Sequence, residues 1–487
     1  MVAWRMLFRR QRPADLESAR QALAEGQYDV AFAMLERALR RGPNRHALGA
    51  TWLQLAALYA LYGEDGLENG QPALRNAVTS DPNLASHPLY RALYWEFAAY
   101  RGASVGDVKR GLRGKGAAEG ESQGPTTTPD PELNAVAAYH AAAALFAVDA
   151  ARSSAARLGE IEEGELPAYL EWRRWSLLGQ CAELMGEWED AANAFERAVA
   201  LAPALEAGAE RLSLAGALVE LLRTDEALAQ LEQVEDDTLG PDERAVHRYL
   251  LGRCHLELDN PNLALELLEQ AAQLDDHEGG HSYSVSFATA QALAALGRSA
   301  EAATAYQHAL QLAPAEHRAF TQHEAAFAMI ESDRLEQAEH LLSEVVTDPS
   351  YSYRGEALAD LADVYLRRGD LDGAANLAQQ ALELGATAPA CITLGSVAFE
   401  YFRLEEATSW YEQAASASQP GDPFWVAAQQ MLADVYSQMG HEYAPRLLQH
   451  AKAALDHTEP GSEWYIPLKQ YVDDAKLRLG GFERVLN

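Results

Sequence analysis

Lysine is nearly missing from this sequence. Of its 39 basic residues only those at 109, 115, 452, 469 and 476 are lysine; the rest are arginine. Acidic residues number 72, so the net charge is −33 at pH 7. That balance excludes broad, non-specific binding to DNA or RNA, which needs clustered Lys and Arg to replace counterions. Cysteine is scarce as well, with three residues and no CxxC, which excludes a disulfide framework and fits a reducing cytoplasm. No stretch approaches 18 apolar residues, so nothing reads as a membrane span. The opening MVAWRMLFRRQR carries its charges after its apolar residues, the reverse of a secretion signal. A P-loop and a GxGxxG after a strand are lacking, and no strand pattern is evident. The expectation is a protein that is not an enzyme and carries no cofactor.

What is present is concentrated in residues 172–205. Trp175, Leu178, Gly179 and Ala182 fall at i, i+3, i+4 and i+7, one face of a helix. Gly186 allows a tight turn. Ala191, Phe195 and Ala198 form one face of a second helix, and Pro203 stops it. Gly179 and Ala191 let two backbones approach closely, and Phe195 fills the space beside them. The alanine that opens the second helix returns as Ala227, Ala264, Ala302, Ala338, Ala374, Ala407 and Ala444, at spacings of 36, 37, 38, 36, 36, 33 and 37. Leu-Gly returns as Leu251-Gly252 and Leu394-Gly395. The second-helix face returns as Ala264, Leu268, Ala271, as Ala302, Tyr306, Ala309, and as Ala407, Tyr411, Ala414. Such a period means a solenoid in which each unit buries its face against its neighbours.

Leu178-Gly179, Gly186, Ala191, Phe195, Ala198 and Pro203 resemble the tetratricopeptide repeat, an antiparallel helix pair of about 34 residues. The resemblance implies an all-α, right-handed α-solenoid superhelix of tandem antiparallel helix pairs, roughly ten by the period, with a cap. Residues 1–113 read as a degenerate repeat region with a basic start. Residues 114–131, GKGAAEGESQGPTTTPDP, read as a flexible linker. Residues 132–171 read as a connecting helical segment, in which 132–158 are one long alanine-rich helix or a tightly joined pair and EIEEGEL an acidic connection. Residues 172–457 are the regular array and 458–487 the capping helix, with Lys469, Asp473, Asp474 and Lys476 on its polar side. Two irregularities stand out: a long loop EDGLENGQP after Gly63, and a poor second helix in SVGDVKRGLRG.

Charge is divided unevenly, +5 over residues 1–115 and −38 over the remainder. The segment 1–12 combines Val2, Trp4, Met6, Leu7 and Phe8 with Arg5, Arg9, Arg10 and Arg12. It reads as an extension packing on the first repeat, or as a membrane-surface or partner-docking segment. The loop 275–281 holds His277 and His281 among Asp275, Asp276 and Glu278, a weak metal candidate, because polar and glycine residues are expected between repeats anyway. Members of the family usually bind ligands in the concave groove lined by first helices. Carried over by helical spacing, that implies Arg20, Arg173, Gln180, Tyr249, Arg253, Phe287, Gln291, His323, Phe327, Asp363, Phe399 and Asp434. The Lys/Asn/Arg clamp with which some members grip a peptide carboxylate is not held by three consecutive repeats, which argues against chaperone tails. The resemblance thus implies a non-catalytic scaffold or adaptor for a protein or peptide partner with a basic segment. The alternative is a regulatory or nucleic-acid-associated module using the basic N-terminal region. The charge contrast allows two contacts, a basic partner segment in the groove of the acidic array or the basic N-terminal unit of one molecule on the acidic part of another, and the external partner is favoured.

Overall fold

A computed structural model describes residues 27–40, 45–113, 131–204, 206–274 and 282–485, together with Ser18, Ala19 and Ala22. The segment 1–12, Arg20, the linker residues 114–130 and the 275–281 loop with His277 and His281 lie outside the described residues. The described residues form twenty-four α-helices and no strand. Contacts divide the chain into two units, 1–276 and 277–487.

In the first unit the helices are α1 (Tyr28–Arg40), α2 (Arg45–Ala60), α3 (Leu67–Ser80), α4 (Pro88–Ala99), α5 (Val105–Leu112), α6 (Pro131–Phe146) and α7 (Ala151–Gly159). They continue as α8 (Ala168–Leu184), α9 (Trp188–Leu201), α10 (Ala207–Glu220), α11 (Thr224–Leu231), α12 (Pro241–Glu257) and α13 (Pro261–Leu274). The second unit holds α14 (Ser282–Ala295), α15 (Ser299–Leu312), α16 (Ala315–Glu331), α17 (Leu335–Val345), α18 (Arg354–Arg367) and α19 (Leu371–Glu383). After them come α20 (Thr387–Glu400), α21 (Leu404–Ser416), α22 (Pro423–Gln438), α23 (Ala444–Leu455) and α24 (Tyr465–Val485). Within each unit these are stacked helix pairs, each pair packed on the next: an α-solenoid.

Two sequence features build the repeat. The first is a small residue on the first helix facing a large one on the second. A Cβ on Gly179 would stand 2.6 Å from the Phe195 ring, one on Gly252 2.8 Å from Leu268, and one on Gly395 2.6 Å from the Tyr411 ring. In three other repeats the position sixteen residues before the large residue is a buried alanine: Ala215 before Leu231, Ala290 before Tyr306, Ala326 before Leu342. The second feature is the turn. Gly186, Leu222, Asp259, Gly297, Asp333, Gly369 and Phe402 all have positive φ, between 56° and 81°. Each lies five residues before the recurring alanine, so the left-handed turn keeps the period even where glycine is lost.

The irregular N-terminal region departs from its expected form. What reads as a long loop after Gly63 is largely helix, because α3 begins at Leu67 and carries Pro72 inside it. Gly70 explains this: a Cβ there would stand 2.4 Å from the Phe97 ring, so the glycine is a packing position rather than a breaker. Residues 131–159 are a joined pair, α6 and α7. Helix α5 is short, and α6 packs directly on α4. At the other end Pro445 opens α23, and α24 covers α22 and α23 with Leu468, Val472 and Ala475 buried and Lys469, Asp473 and Lys476 exposed. Cys181, Cys254 and Cys391 are free and buried. Burial pushes all three thiols up, Cys254 to about 11, so none is an activated nucleophile.

Candidate partner-binding surface

In the second unit, aromatic side chains from consecutive repeats meet in a run. The Phe287 ring on α14 lies 5.8 Å from Phe320 on α16, and Phe320 lies 6.1 Å from Tyr353 at the start of α18. The run continues from Tyr353 to Tyr351 at 5.9 Å and from Tyr351 to His323 at 5.8 Å. Tyr306, buried on α15, supports Phe287 edge-on at 5.4 Å. Tyr283 stacks on His317 at 5.7 Å and shares a 2.9 Å hydrogen bond with Thr321, tying α14 to α16. Phe287 and Phe320 are half-buried, whereas Tyr353 is 53% exposed. The rings of the run are therefore partly exposed.

Carboxylates border this run. His323 is buried, held by Tyr351 Oη at 3.0 Å through Nδ1 and by Asp360 Oδ2 at 3.0 Å through Nε2. Tyr306 donates to Glu324 Oε2 at 3.4 Å. Burial raises the Glu324 carboxyl above its ordinary value, opposed by His323 and Tyr306 and aided by Asp360. Burial, then Glu324, Tyr353, Glu356 and Asp360, push the Tyr351 hydroxyl up, so it stays protonated. An arrangement of ring faces beside carboxylates suits a cationic side chain with an apolar stem: the rings offer cation–π contact and the acids offer ion pairs.

The structure brings together part of the expected groove set. Phe287 and His323 belong to the aromatic run. Phe327 is 51% exposed on α16. Asp363 Oδ2 accepts from Arg367 Nε at 2.7 Å, and its carboxyl is raised by burial. Asp434 Oδ1 accepts from Tyr471 at 2.7 Å, Phe399 packs into the core of the last repeats, and Gln291 is half-buried on α14. In the first unit, Arg253 donates to Glu220 at 3.1 Å and to Tyr249 at 3.3 Å. Gln180 donates to Ser176 at 3.5 Å, and the Arg173 guanidinium lies 4.2 Å from the Trp172 ring. Sequence reasoning missed Tyr283, Phe320, Tyr351, Tyr353, Glu324 and Asp360. Tyr351 and Tyr353 precede their helix, where helical spacing gives no direction. The density of aromatics in YSY was the available signal.

The tetratricopeptide repeat family model matches residues 172–205 in one form and 212–278, 249–317 and 330–389 in another. The chain is a tetratricopeptide repeat protein. No curated protein matches it in sequence. Among solved structures, this repeat protein is similar to PilF of Pseudomonas aeruginosa, with 18% identity, 48% of this chain and 99% of that chain covered, and a TM-score of 0.36. It is also similar to the Cut9–Hcn1 hetero-tetramer of the APC/C, with 15% identity, coverage of 94% and 95%, and a TM-score of 0.43. A third is the apo form of the quorum sensor NprR from B. thuringiensis, with 13% identity, coverage of 65% and 97%, and a TM-score of 0.47. At these identities and scores the likenesses say nothing about what this protein binds. Repeats of this family build protein-interaction scaffolds in general. Among the described residues no helix is long and apolar enough to cross a membrane.

Proposed function

We propose that this repeat protein is a non-catalytic scaffold that takes a protein or peptide partner with a basic segment along the first-helix face of residues 282–367. The observation that carries this is the run Phe287–Phe320–Tyr353–Tyr351 beside Glu324, Glu356 and Asp360. Aromatic side chains with fixed rotamers bind at low entropic cost, and they dominate interface energetics where they are found. The net charge of −38 over residues 116–487 adds long-range attraction for a basic segment and repulsion for an acidic one. Three buried free thiols fit a reducing compartment such as the cytoplasm.

The test is a library of fluorescent peptides with fixed arginines, titrated against the full chain and against a Phe320→Ala/Tyr353→Ala variant. Arginine-containing peptides should bind, and the variant should lose about tenfold or more, as expected for aromatic anchors. Affinity should also fall as the Debye length shrinks from about 10 Å at 0.1 M salt to about 3 Å at 1 M. Binding that ignores both the variant and salt would place the partner elsewhere.

A further inference from the structure

The N-terminal end of the first unit holds an open cleft that the repeat architecture does not fill. It runs between α1 and α3 across the face of α2, as two adjoining hollows of about 440 and 480 Å³ that share Glu36, Tyr59 and Asn69. That size falls within the about 300–1,000 Å³ of ordinary ligand pockets. Its floor is aromatic: Phe32 lies 4.8 Å from Tyr59 and 5.7 Å from Tyr62. Among the described residues the first hollow is bordered by Asp29, Glu36 and Asp65, and the Arg173 charge acts on Tyr62 at its edge. In the second, Arg40 stands 3.4 Å from Glu36, both well exposed. The cleft is therefore an aromatic slot with a carboxylate rim.

One segment of this chain has the complementary chemistry. Residues 2–12, VAWRMLFRRQR, carry Arg5, Arg9, Arg10 and Arg12 with no acid before Asp15, interleaved with Val2, Trp4, Met6, Leu7 and Phe8. The segment is also tethered beside the slot. Ala19 and Ala22 are buried against Ala31, Leu35, Leu55 and Leu58, and Phe32 and Tyr59 pack on that same cluster. Five residues separate Arg12 from Ser18, six Cα–Cα steps that span up to about 20 Å of extended chain. The slot is within that reach.

We propose that the cleft between α1 and α3 is the binding site of the chain's own basic-aromatic segment, residues 2–12. Trp4 and Phe8 supply the apolar side chains for the Phe32, Tyr59 and Tyr62 floor, and the arginines pair with Asp29, Glu36 and Asp65. The assignment uses the first unit alone and does not depend on what the aromatic run of the second unit binds. Its consequence is that the most basic stretch of the sequence is engaged within the molecule, so it is not a standing attachment point for nucleic acid or membrane.

The experiment uses the full chain in two forms, wild type and a released form carrying Arg5→Glu, Arg9→Glu, Arg10→Glu and Arg12→Glu. The probe is a fluorescent synthetic peptide of residues 1–13, followed by anisotropy. The released form should bind the peptide, and the wild type should bind at least about tenfold more weakly, because the tethered segment competes at an effective concentration of about a millimolar. Adding Glu36→Lys and Asp65→Lys to the released form should abolish the gain while circular dichroism and melting temperature stay within the released form's range. Three results would overturn the proposal: equal binding by both forms, no binding by the released form at millimolar peptide, or binding that survives the Glu36 and Asp65 reversals. Should those reversals unfold α1, hydrogen exchange decides instead. The wild type should then protect 28–40 and 59–69 more than the released form does, and equal protection counts against the site.

Discussion

Gly179 on α8 lies under the ring of Phe195 on α9, so close that a Cβ on the glycine would stand 2.6 Å from the ring carbon Cε1. The first and second helices of that repeat meet there through the Phe195 ring, with no side chain on the Gly179 side. Phe195 is fully buried and cannot move aside without opening the core. Gly216 on α10 is also within a helix, yet a Cβ there meets nothing within 4 Å.

The two glycines should therefore respond oppositely to the same substitution. Gly179→Ala should destabilise by about 1–3 kcal/mol through overpacking. Gly216→Ala should stabilise by about 0.5–1 kcal/mol, because alanine is the better helix former and the space is free. Urea midpoints of the two variants against wild type measure both. Equal shifts would mean that the helix pair does not close on Phe195.

The turn positions supply a second test with sign reversal. Leu222 and Phe402 hold φ of 57° and are 72% and 81% exposed, so their side chains do not secure that conformation by burial. A left-handed residue with a Cβ costs about 1–2 kcal/mol, and glycine removes that strain while costing about 0.5–1 kcal/mol in chain entropy. Leu222→Gly and Phe402→Gly should each raise stability by up to about 1 kcal/mol. Gly186→Ala, at φ 72°, should lower it by a similar amount. Calorimetric melting of the three variants would show two increases and one decrease.

Glu210 gives a pH signature. It is buried on α10, where its Oε1 accepts from Ser176 on α8 at 3.0 Å and its Oε2 has no partner. Burial pushes its carboxyl from 4.5 to about 7, against the pull of Ser176 and Arg173. The folded chain therefore holds this proton more tightly than the unfolded chain. The associated stability is fully present below pH 4.5 and is lost as pH rises through about 7. The loss is on the order of 3 kcal/mol. Glu210→Gln should match wild type near pH 4.5 and exceed it at pH 8. Chemical denaturation at both pH values reads the difference, since all other carboxylates are common to the two proteins. A constant gap across pH would show that Glu210 ionises freely.

The sequence by itself determined the repeat. A small residue on one helix, a large one sixteen positions later and a left-handed turn between them are local relations, so their period is written directly in residue spacings. It held even where glycine gave way to Leu222 and Phe402, because the recurring alanine preserved the register. Tertiary structure decided what periodicity does not encode. Gly70 and Pro72 look like a loop until Phe97 from another helix is seen lying on Gly70. His323 has the spacing of a groove residue, yet it is buried because Tyr351 and Asp360, 28 and 37 residues later, close over it. The aromatic run draws Phe287, Phe320 and Tyr353 from three different repeats. Its members are neighbours only because stacking sets consecutive first helices side by side, and the spacing within any one helix carries no information about that lateral contact.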